Sequence, residues 1–443
     1  MNITSLEAMI GRSIGGSSTP LSPMSRSGIE DYQAERLRSL VDFCRERSSF
    51  YRRTFTDAGV TTIKGLENLT DLPLICEDDL RCHGSQMVCV SQDEVARIIT
   101  LQSSGTTGKP KRLHFTDADL QQTLDFFYHG MLSLVDPGQT VAILLPGATP
   151  DSTGHMLAQA LQRMKVSTTI HGLVDDPAQA ARTLHELQPD VLVGFPVQLL
   201  AIARMAASLK LQPGPIRSVL LCSDYIPESL GTQLARSLDC EVFSHYGTVE
   251  TGLGGGVDCG AHCGMHLREA DLLFEIIDSM TTTPLAIGQW GEIVVTTITR
   301  TGMPLIRYRT GDRGRLLPGP CPCGSHIRRL DRVFGRINQV HTLGNSNGNG
   351  DQLALQTLDE LLFPLPGLLD FRAVLTTGRG HETLHLHLVS LPGNEDVLLR
   401  QVSQRMATLL TKLKLELVLT VDSTTTIHPG KRILEIKREE ITT

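Results

Sequence analysis

The stretch with the most chemical potential is SSGTTGKPKR, from Ser103 to Arg112. It brings two glycines, four hydroxyl side chains and three cations into ten residues. Glycine has no Cβ, so backbone N–H groups can approach an anion closely, and threonine and lysine side chains can complete the contact. The composition therefore predicts either an exposed surface loop or a phosphate-binding loop.

The Walker phosphate-binding loop is the first motif to test, because it also combines glycine, lysine and a hydroxyl residue. This sequence departs from it twice: Ser103 stands at the first glycine position, and Pro110 replaces the Ser or Thr that would hold magnesium. Proline at that point also opposes an immediate helix start. If the loop binds phosphate, it must do so without the N-terminus of a following helix.

Three further motifs follow in order on predicted loops. They are HYGTVETG at 245–252, RYRTGD at 307–312 and GR at 335–336. Together with the first loop they resemble the adenylate-forming superfamily of acyl-CoA synthetases, adenylation domains and luciferases. More narrowly, the short chain and the spacing of these motifs resemble phenylacetate-CoA ligase-type enzymes, from about residue 30 to the C-terminus.

The resemblance implies an ATP-dependent, AMP-forming carboxylate–CoA ligase. Such an enzyme joins a carboxylate to the α-phosphate of ATP, releases pyrophosphate and then transfers the acyl group to coenzyme A. Because the carboxylate and the triphosphate repel each other, the site must neutralise charge and align the reactants. The implied cofactors are ATP, Mg²⁺ and coenzyme A, and the family suggests an aryl or arylacetic acid such as phenylacetate.

The resemblance also assigns roles to individual residues. The β- and γ-phosphate loop corresponds to Ser103, Ser104, Gly105, Thr106, Thr107, Gly108 and Lys109. The other assignments are Tyr246 and Gly247 beside adenine, Thr248 at the α-phosphate, Glu250 on magnesium, Asp312 on the ribose hydroxyls, and Arg336 near ribose and phosphate. Ser223 and Asp224 lie where many relatives carry a Gly-Ala-Glu-Pro-like turn, so the nucleotide side of this site has a different sequence here.

Each of these residues also has a simpler interpretation when taken alone. Glu250 could be a solvated loop acid, and Asp312 could form a turn, since Thr-Gly-Asp favours turns. The order of the four motifs favours the nucleotide site. The tail segment HPGKRILEIKR at 428–438 supplies the catalytic lysine in this interpretation, with Lys431 assigned and Lys437 left as the alternative.

Four of the ten cysteines lie late in the chain, in GVDCGAHCGMHLRE and GPCPCGSH. Thiolates and imidazoles in such clusters are typical of a closed, structural zinc site, and free thiols are the alternative. A similar pattern in some phenylacetate-CoA ligase-like proteins points to Cys259, His266, Cys321 and Cys323. His262 and Cys263 remain alternative ligands.

The elements that must position these residues follow from periodicity. Between about residues 95 and 245, apolar runs alternate with helical patterns, which predicts βαβ units and a parallel sheet. Strand-rich sequence follows to 335, and an α+β pattern ends the chain. The predicted fold is α/β: a large N-terminal region with a doubly wound, mostly parallel sheet and a β-rich subdomain, and a small α+β C-terminal domain on a hinge.

The predicted domain bounds are a flexible lead-in at 1–30, an adenylate-forming domain at 31–335 whose β-rich, zinc-bearing part begins near 255, and a mobile C-terminal domain at 336–443. Asn338 follows the Gly-Arg pair, and asparagine tolerates the backbone angles that a pivot requires.

Composition excludes several other function classes. The net charge is −7, the isoelectric point is near 6.1 and aromatic residues make up 4%, which argue against a nucleic-acid partner. No apolar run reaches membrane-spanning length, and the cysteine usage without an export signal predicts a reducing cytoplasm. The expected partners are a small-molecule carboxylic acid, ATP and CoA, with a homodimer left open.

Two alternative functions remain at this point. The acyl acceptor could be a carrier-protein thiol or an amine rather than CoA. The chain could also be a non-catalytic, nucleotide-binding zinc scaffold with a ligase fold.

Overall fold

The computed structural model describes residues 4–15, 25–101, 110–343, 351–378, 382–422 and 424–438. Helices and strands alternate through the middle of the chain, and the protein is mixed α/β, as the periodicity predicts. The α-helices of the described residues are α1 (Ser5–Gly15), α2 (Arg26–Arg47), α3 (Ser49–Asp57), α4 (Glu77–His83), α5 (Asp117–Met131), α6 (Thr153–Gln162), α7 (Pro177–Leu187), α8 (Pro196–Ser208), α9 (Glu228–Leu238), α10 (Leu355–Leu362) and α11 (Glu395–Leu413).

The strands fall into a parallel-rich part and several antiparallel parts. They are β1 (Arg97–Leu101), β2 (Lys111–Phe115), β3 (Thr140–Leu144), β4 (Ser167–Ile170), β5 (Val191–Gly194), β6 (Ser218–Leu221), β7 (Glu241–Tyr246), β8 (Gly256–Val257), β9 (Met265–Leu267), β10 (Leu272–Ile277), β11 (Gly291–Thr297), β12 (Tyr308–Gly314), β13 (Leu316–Leu317), β14 (Arg329–Leu330), β15 (Val340–Thr342), β16 (Gln352–Ala354), β17 (Leu368–Thr377), β18 (Glu382–Ser390), β19 (Leu415–Asp422) and β20 (Leu434–Arg438).

Capping residues fix the ends of the helices that matter for the site. Thr116 caps α5, where its hydroxyl accepts from the backbone N–H of Asp119, and the Asp119 carboxylate accepts from the N–H of Thr116. This reciprocal pair satisfies two N–H groups that the first helical turn leaves without partners. Asp176 caps α7 through one carboxylate oxygen, which accepts from the backbone N–H groups of Ala178 and Gln179, with Pro177 at the first helical position.

Contacts divide the chain into two compact units. Unit 1 comprises Met1–Leu134, Gln159–Met164 and His245–Val333, and unit 2 comprises Val135–Ala158, Lys165–Ser244 and Phe334–Thr443. The range expected to be a flexible lead-in contains α1, whose Ile10 side chain is only 1% exposed. The predicted mobility of residues 336–443 stays a prediction.

Unit 1 is built mainly from antiparallel pairs. β1 pairs with β2, and β10, β11 and β12 form a three-stranded sheet. The end of β7 continues through β8, β9, β14 and β13, all antiparallel. The helices α2 and α3 pack with apolar side chains of β2 and of the segment before β12 into one core.

Unit 2 contains the parallel strands, in the order β4-β3-β5-β6-β7. A second sheet in the order β19-β18-β17-β20 belongs to the same unit. Side chains of α7, α8 and α9 share one hydrophobic core with those of α10, α11 and the second sheet. The C-terminal residues are therefore packed on the parallel-sheet region of their own unit.

Candidate nucleotide-binding and metal sites

The predicted phosphate loop is flanked by an antiparallel hairpin. β1 and β2 pair with Leu101 opposite Lys111, so the two ends of the loop are held side by side. Pro110 leads into β2 rather than into a helix. The assigned residues Ser103, Ser104, Gly105, Thr106, Thr107, Gly108 and Lys109 lie outside the described residues.

Glu250 is buried in unit 1 in contact with two residues from other motifs. The Lys111 ammonium donates a hydrogen bond to Oε1 of Glu250, and the Tyr308 hydroxyl donates to the same oxygen at 3.1 Å. Nζ of Lys111 also lies 3.2 Å from Oε1 of Glu77. The side chains of Lys111 and Glu250 are only 6% and 5% exposed. Glu250 is therefore not a solvated loop acid.

The charge of Glu250 is set by two opposing effects. Burial alone raises the pKa of a carboxyl group, but the adjacent Lys111 ammonium overcomes this and holds the pKa of Glu250 below its ordinary value of 4.5. The group is consequently an anion at neutral pH. A carboxylate of this kind fits a magnesium ion, which takes hard oxygen ligands and completes its shell with phosphates and water.

Tyr246 and Asp312 also come together in unit 1. The Tyr246 hydroxyl donates to Oδ2 of Asp312 at 2.9 Å, and the backbone N–H of Asp312 donates to the Thr310 hydroxyl at 3.0 Å. Burial and the Asp312 carboxylate raise the pKa of Tyr246 well above its ordinary value, so the phenol stays protonated and keeps donating. This bond orients one carboxylate oxygen.

The loop between these residues is tightly constrained. The Thr251 hydroxyl donates to the carbonyl of Thr248 at 2.9 Å and accepts from the N–H of Thr248 at 2.9 Å. A Cβ on Gly247 would lie 2.5 Å from the carbonyl oxygen of Leu253, so only glycine fits there. The backbone after β7 is thus fixed before any ligand binds.

Unit 2 holds the other assigned residues. Ser223 lies two residues after the end of β6 and has a φ of 72°, a left-handed conformation that favours glycine. Tyr225 follows Asp224 in the sequence, and its hydroxyl donates a hydrogen bond to Oε1 of Glu360 at 2.6 Å. Arg336 is half-buried and precedes a single 3-10 turn, Ile337–Gln339.

The tail that carries Lys431 is anchored at several points of unit 2. The Gln198 amide donates to the carbonyl of Pro429 at 2.9 Å, and the N–H of His428 donates to Asp370 at 3.0 Å. Lys431 is exposed and lies near Cys222: burial raises the pKa of this thiol to about 12, and the lysine charge partly opposes that rise. Lys437 is exposed on β20.

Arg432 is the main anchor of this tail. Its guanidinium is buried, lies 2.8 Å from Oδ1 of Asp359 and 3.8 Å from Oδ1 of Asp370, and stacks against two aromatic rings. Burial, only partly opposed by Arg432, raises the pKa of Asp359 to about 7. Asp224 and Asp370 add negative charge nearby, so three acids share one guanidinium.

The four predicted zinc ligands converge in unit 1. The ligand atoms of Cys259, His266, Cys321 and Cys323 all lie within 4.8 Å of one another. Sγ of Cys259 is 3.7 Å from Sγ of Cys321, and Sγ of Cys323 is 3.6 Å from Nε2 of His266. Tetrahedral zinc with Zn–S of about 2.3 Å and Zn–N of about 2.0 Å requires edges of about 3.8 and 3.5 Å, so the donor set fits zinc.

Side-chain chemistry in this cluster also suits a cation. Burial and the charge of Arg329 lower the pKa of His266 to about 4, which keeps its imidazole neutral and able to coordinate. Burial, with the neighbouring thiols, raises the pKa of Cys259 to about 12, so a cation is needed to stabilise the thiolate. Cys263, one of the alternative ligands, is exposed. Neither it nor His262 belongs to the converging set.

Arg329 holds together the two loops that carry the four candidate metal ligands. It pairs with His266 across β14 and β9, and its guanidinium donates to the carbonyl of Cys263 at 2.5 Å. The same guanidinium donates to the carbonyl oxygens of Pro318 and Pro320 at 3.0 and 3.2 Å, just before Cys321. The ligand loops are therefore preorganised by an arginine that is not itself a ligand.

Most of this chain is similar in sequence to proteins of a known family. The model of the AMP-binding enzyme family matches residues 30–300. The phenylacetate-coenzyme A ligase of Thermus thermophilus is 30% identical over 334 residues, which cover 72% of this chain and 73% of that enzyme. This chain belongs to the AMP-binding enzyme family.

Further relatives agree with the assignment. The phenylacetate-coenzyme A ligase of Escherichia coli is 27% identical over 349 residues, covering 76% of this chain and 78% of that protein. The crystal structure of a 2-hydroxyisobutyryl-CoA ligase in the postadenylation state, in complex with R3-HIB-AMP, has a TM-score of 0.79 at 19% identity and covers 94% of this chain and 91% of that one. The latter likeness confirms the predicted fold class. The family match and the two phenylacetate-coenzyme A ligase relatives show that this AMP-binding enzyme is an AMP-forming acid–thiol ligase.

Sequence patterns missed several residues of this AMP-binding enzyme that touch or support the site. Lys111 stands inside the opening loop motif, but its pairing with Glu250 spans 139 positions and leaves no local signal. Tyr308 lies within RYRTGD and could have been noted from the motif itself. Arg329 lies in no motif, and Arg432 lies in the tail segment HPGKRILEIKR without an assigned role. Burial alone distinguishes the two from surface arginines.

None of the described helices is long and apolar enough to span a bilayer.

Proposed function

We propose that this AMP-binding enzyme is a carboxylate–CoA ligase whose acid is an aryl or arylacetic acid such as phenylacetate. The observation that carries the reaction type is the set of buried pairs in unit 1, Tyr246–Asp312 and Lys111–Glu250, which unite three of the four motifs. A scaffold without catalysis would not need to maintain an ionised acid and lysine at this burial, since the desolvation cost is several kcal/mol per ion.

An aromatic wall beside Tyr246 supports the choice of acid. The rings of Phe126 and Phe127 lie 6.1 and 6.5 Å from the imidazole of His245, which directly precedes Tyr246. Burial lowers the pKa of His245 to about 4, so this imidazole is neutral at physiological pH. A Cβ on Gly254 would lie 2.3 Å from the Phe126 ring, so this glycine allows the close packing of the wall. A flat apolar acid fits such a wall better than a polar one.

The first half-reaction needs charge control more than covalent help. A carboxylate oxygen of the acid bonds to the α-phosphorus of ATP, and the bond from that phosphorus to the bridging oxygen of pyrophosphate breaks. Asp312 accepts from the ribose hydroxyls with an oxygen that Tyr246 orients. Lys111 holds Glu250 ionised and in place, and Glu250 with the phosphates would hold magnesium, which supplies neutralisation of the phosphate charge.

Lys431 is the residue that we assign to the developing charge between acid and α-phosphate. Two observations support this assignment. The tail that carries Lys431 is anchored to unit 2, and Lys431 lies near Cys222, at the start of the Cys222–Asp224 turn. In the second half-reaction the CoA sulfur bonds to the acyl carbon, AMP leaves with the former carboxylate oxygen, and the thiol proton passes to solvent. The chain's motifs do not distinguish CoA from a carrier-protein thiol, and the relatives' names favour CoA.

We also propose that Cys259, His266, Cys321 and Cys323 hold one structural zinc ion. The two edge lengths of the cluster support a closed tetrahedral set. Four protein ligands leave no position for a reacting water, so the ion stabilises the loops rather than the reaction.

The test is pyrophosphate release with a panel of acids, with and without CoA. We expect phenylacetate and benzoate to exceed short aliphatic acids, and acyl-CoA to form with the preferred acid. Asp312→Asn tests the nucleotide site itself. We expect this variant to raise the KM for ATP by roughly 10-fold or more, because a charge-assisted hydrogen bond is weakened. Pyrophosphate release without any CoA thioester would reject CoA as acceptor, and no release with any acid would reject the ligase.

A further inference from the structure

A large cavity lies in unit 1 on a side of α5 that does not face the aromatic wall. Its volume is about 920 Å³, and α1, α2, α5 and the segment Ile298–Thr301 line it. The α5 residues that line it are Gln122, Asp125, Tyr128 and His129. The rings of Phe126 and Phe127 on the same helix lie against His245 instead. Tyr246, Glu250 and Asp312 do not line this cavity. These three residues are therefore not part of its lining, and the Glu250 charge still acts on Arg300, which is.

Arg300 lines the inner part of the cavity. Its side chain is buried, stacks at 4.9 Å on the Phe115 ring, and leaves Nη1 without a hydrogen-bond partner. Burial lowers the pKa of Arg300 to about 10, which still leaves the guanidinium charged at neutral pH. A buried N–H group that makes no hydrogen bond costs free energy, so an acceptor that reached Nη1 would gain a charged hydrogen bond at a group that now has none.

The charges of three carboxylates, Asp119, Glu250 and Asp271, act on the Arg300 guanidinium, and all three accept hydrogen bonds from other groups, which for Glu250 are Lys111 and Tyr308. Asp119 accepts from the backbone N–H groups of Thr116, Thr301 and Gly302 at 2.9–3.0 Å. Asp271 accepts from Nε of Arg268 at 2.6 Å and from the Thr299 hydroxyl at 2.8 Å. These acids offset the charge of Arg300 at a distance but do not bond to its Nη1.

Exposed arginines surround the cavity mouth. Arg163 is paired with Asp125 at 2.8 Å. Arg12 donates to Nε2 of His129, and burial together with the Arg12 charge lowers the pKa of that histidine to about 4, so it is neutral. Arg36 lies 5.4 Å from the Tyr32 ring centre. Within the described part of the chain, neither Arg12 nor Arg36 has a carboxylate at ion-pair distance.

The balance of charge in the lining is therefore positive. The cavity presents four arginines and two aspartates, and both aspartates are already paired. A positive mouth above a low-dielectric interior concentrates anions. Aromatic and apolar side chains from the helices, Tyr32, Phe43, Tyr128 and Leu40, complete the lining.

We propose that this cavity binds an organic phosphate of nucleotide size. Guanidinium groups match the geometry and charge of phosphate oxygens, and Arg300, Arg36 and Arg12 supply three of them at different depths. The aromatic and aliphatic lining fits the organic part, which an inorganic anion would leave without contact. The volume is within the range of small-molecule sites. The proposal does not depend on which acid the enzyme activates.

The probe is adenosine 3′,5′-bisphosphate, titrated calorimetrically into the full chain saturated with AMP, so that the adenylate site is filled. We expect one saturable site. Arg300→Met should weaken binding by roughly 10-fold or more, since a charged hydrogen bond is lost, and Arg36→Ala severalfold. Arg38→Ala is the matched control, because Arg38 is exposed on the same helix but does not line the cavity.

Coenzyme A as a competing titrant identifies the source of the phosphate. Competition with the bisphosphate, with a raised KM for CoA in Arg36→Ala, means that the cavity anchors the acceptor's phosphates. Binding of the bisphosphate without competition means a separate phosphorylated ligand. If Arg300→Met does not fold, the comparison of Arg36→Ala with Arg38→Ala decides. Absence of saturable binding, or equal affinity in wild type and Arg36→Ala, overturns the proposal.

Discussion

Lys111 and Glu250 show how one contact can serve both stability and chemistry. The ammonium and the carboxylate are buried together, so each depends on the other to remain charged. Breaking a buried pair by removing one partner typically costs about 3–5 kcal/mol, because the remaining charge is left without compensation. The same contact keeps Glu250 ionised for its assigned role on magnesium.

We predict that Lys111→Met lowers the free energy of unfolding by about 3–5 kcal/mol at pH 7 and slows pyrophosphate release. The folded-state pKa of Glu250 is below 4.5, so its contribution to stability is present above that value and is lost as pH falls through the folded pKa. Without Lys111 the pKa should rise, which moves the acid limb of the pH–rate profile to higher pH. Urea unfolding and pyrophosphate release across pH measure both effects.

Arg112→Met is the control for this change, because Arg112 is the next residue on β2 and its side chain is exposed. It should leave both stability and the acid limb close to wild type. An unchanged acid limb in Lys111→Met would contradict the assignment of Lys111 as the partner that keeps Glu250 ionised.

The sequence assigned residues to the site without predicting their contacts, and the assigned roles stay predictions. Glu250, Tyr246 and Asp312 lie in short motifs, and the structure unites them with partners from other motifs in unit 1. The pairing with Lys111 could not be predicted, because a hydrogen bond across 139 positions depends on how β2 packs and not on local pattern.

Among the elements, the loops that carry the four candidate metal ligands depend on very short strands. β13 and β14 have two residues each and β9 has three, so hydrogen bonds along the strands stabilise them little by themselves. Arg329 and the proposed zinc ion supply the missing restraint by joining the loops. Strands of this length show no two-residue period, which is why the sequence predicted strand-rich structure there without individual strands.

We predict that Cys321→Ser loses the bound zinc and lowers the melting temperature, because the closed ligand set loses one thiolate and metal binding contributes to folding free energy. Metal analysis of protein purified without added zinc, with thermal unfolding, measures this. Cys263→Ser and His262→Ala are the matched controls, since both residues are near the cluster but outside the converging set. Loss of zinc in either control, with retention in Cys321→Ser, would mean that the ligand set is wrong.

The Arg432 cluster links the tail segment to α10 and β17 within unit 2. Asp359 is on α10 and Asp370 is on β17, and both lie against the buried guanidinium. This arrangement explains why the segment before β20, which has no regular secondary structure, can still present Lys431 at a fixed place. The sequence predicted the α+β pattern of this part of the chain but not this cluster, because the sequence does not distinguish a buried arginine from a solvated one.

We predict that wild-type stability falls as pH rises from about 4 to about 7 through Asp359. Its pKa is 3.8 when unfolded and about 7 when folded, so the folded state holds the proton more tightly and its contribution is full below 4 and lost by 7. Asp359→Asn should remove that slope, on the order of a few kcal/mol over the range. Urea unfolding at several pH values measures it, and Asp136→Asn, at an exposed aspartate, should retain the wild-type slope.

For the whole molecule, the open question is how one chain carries out two half-reactions. We predict that Lys431→Ala suppresses adenylate formation and leaves thioester formation from supplied acyl-adenylate largely intact, because the lysine is assigned only to the charge of the first step. Pyrophosphate release and single-turnover thioester formation separate the two. Lys437→Ala is the matched control on β20, and an adenylation defect in that variant alone would mean that Lys437 is the catalytic lysine.

The predicted domain bounds stay a prediction, and the contacts within the chain group its residues into two compact units. The sequence predicted a boundary near residue 336 from a Gly/Asn-rich stretch, and Phe334 does begin the last segment of unit 2. That segment shares a core with residues far earlier in the chain, such as Leu199 and Leu230. Composition can indicate where a chain turns, but which apolar faces meet depends on long-range packing.

The short distance between the Cys259 and Cys321 sulfurs has a practical consequence for the purified enzyme. If chelation removes the metal in air, two thiols 3.7 Å apart need only a small loop movement to form a disulfide of about 2.05 Å. The disulfide would then prevent the proposed zinc ion from binding again at these two sulfurs. Storage under a thiol reductant should preserve remetallation, and storage without it should produce a fraction that no added zinc can rescue.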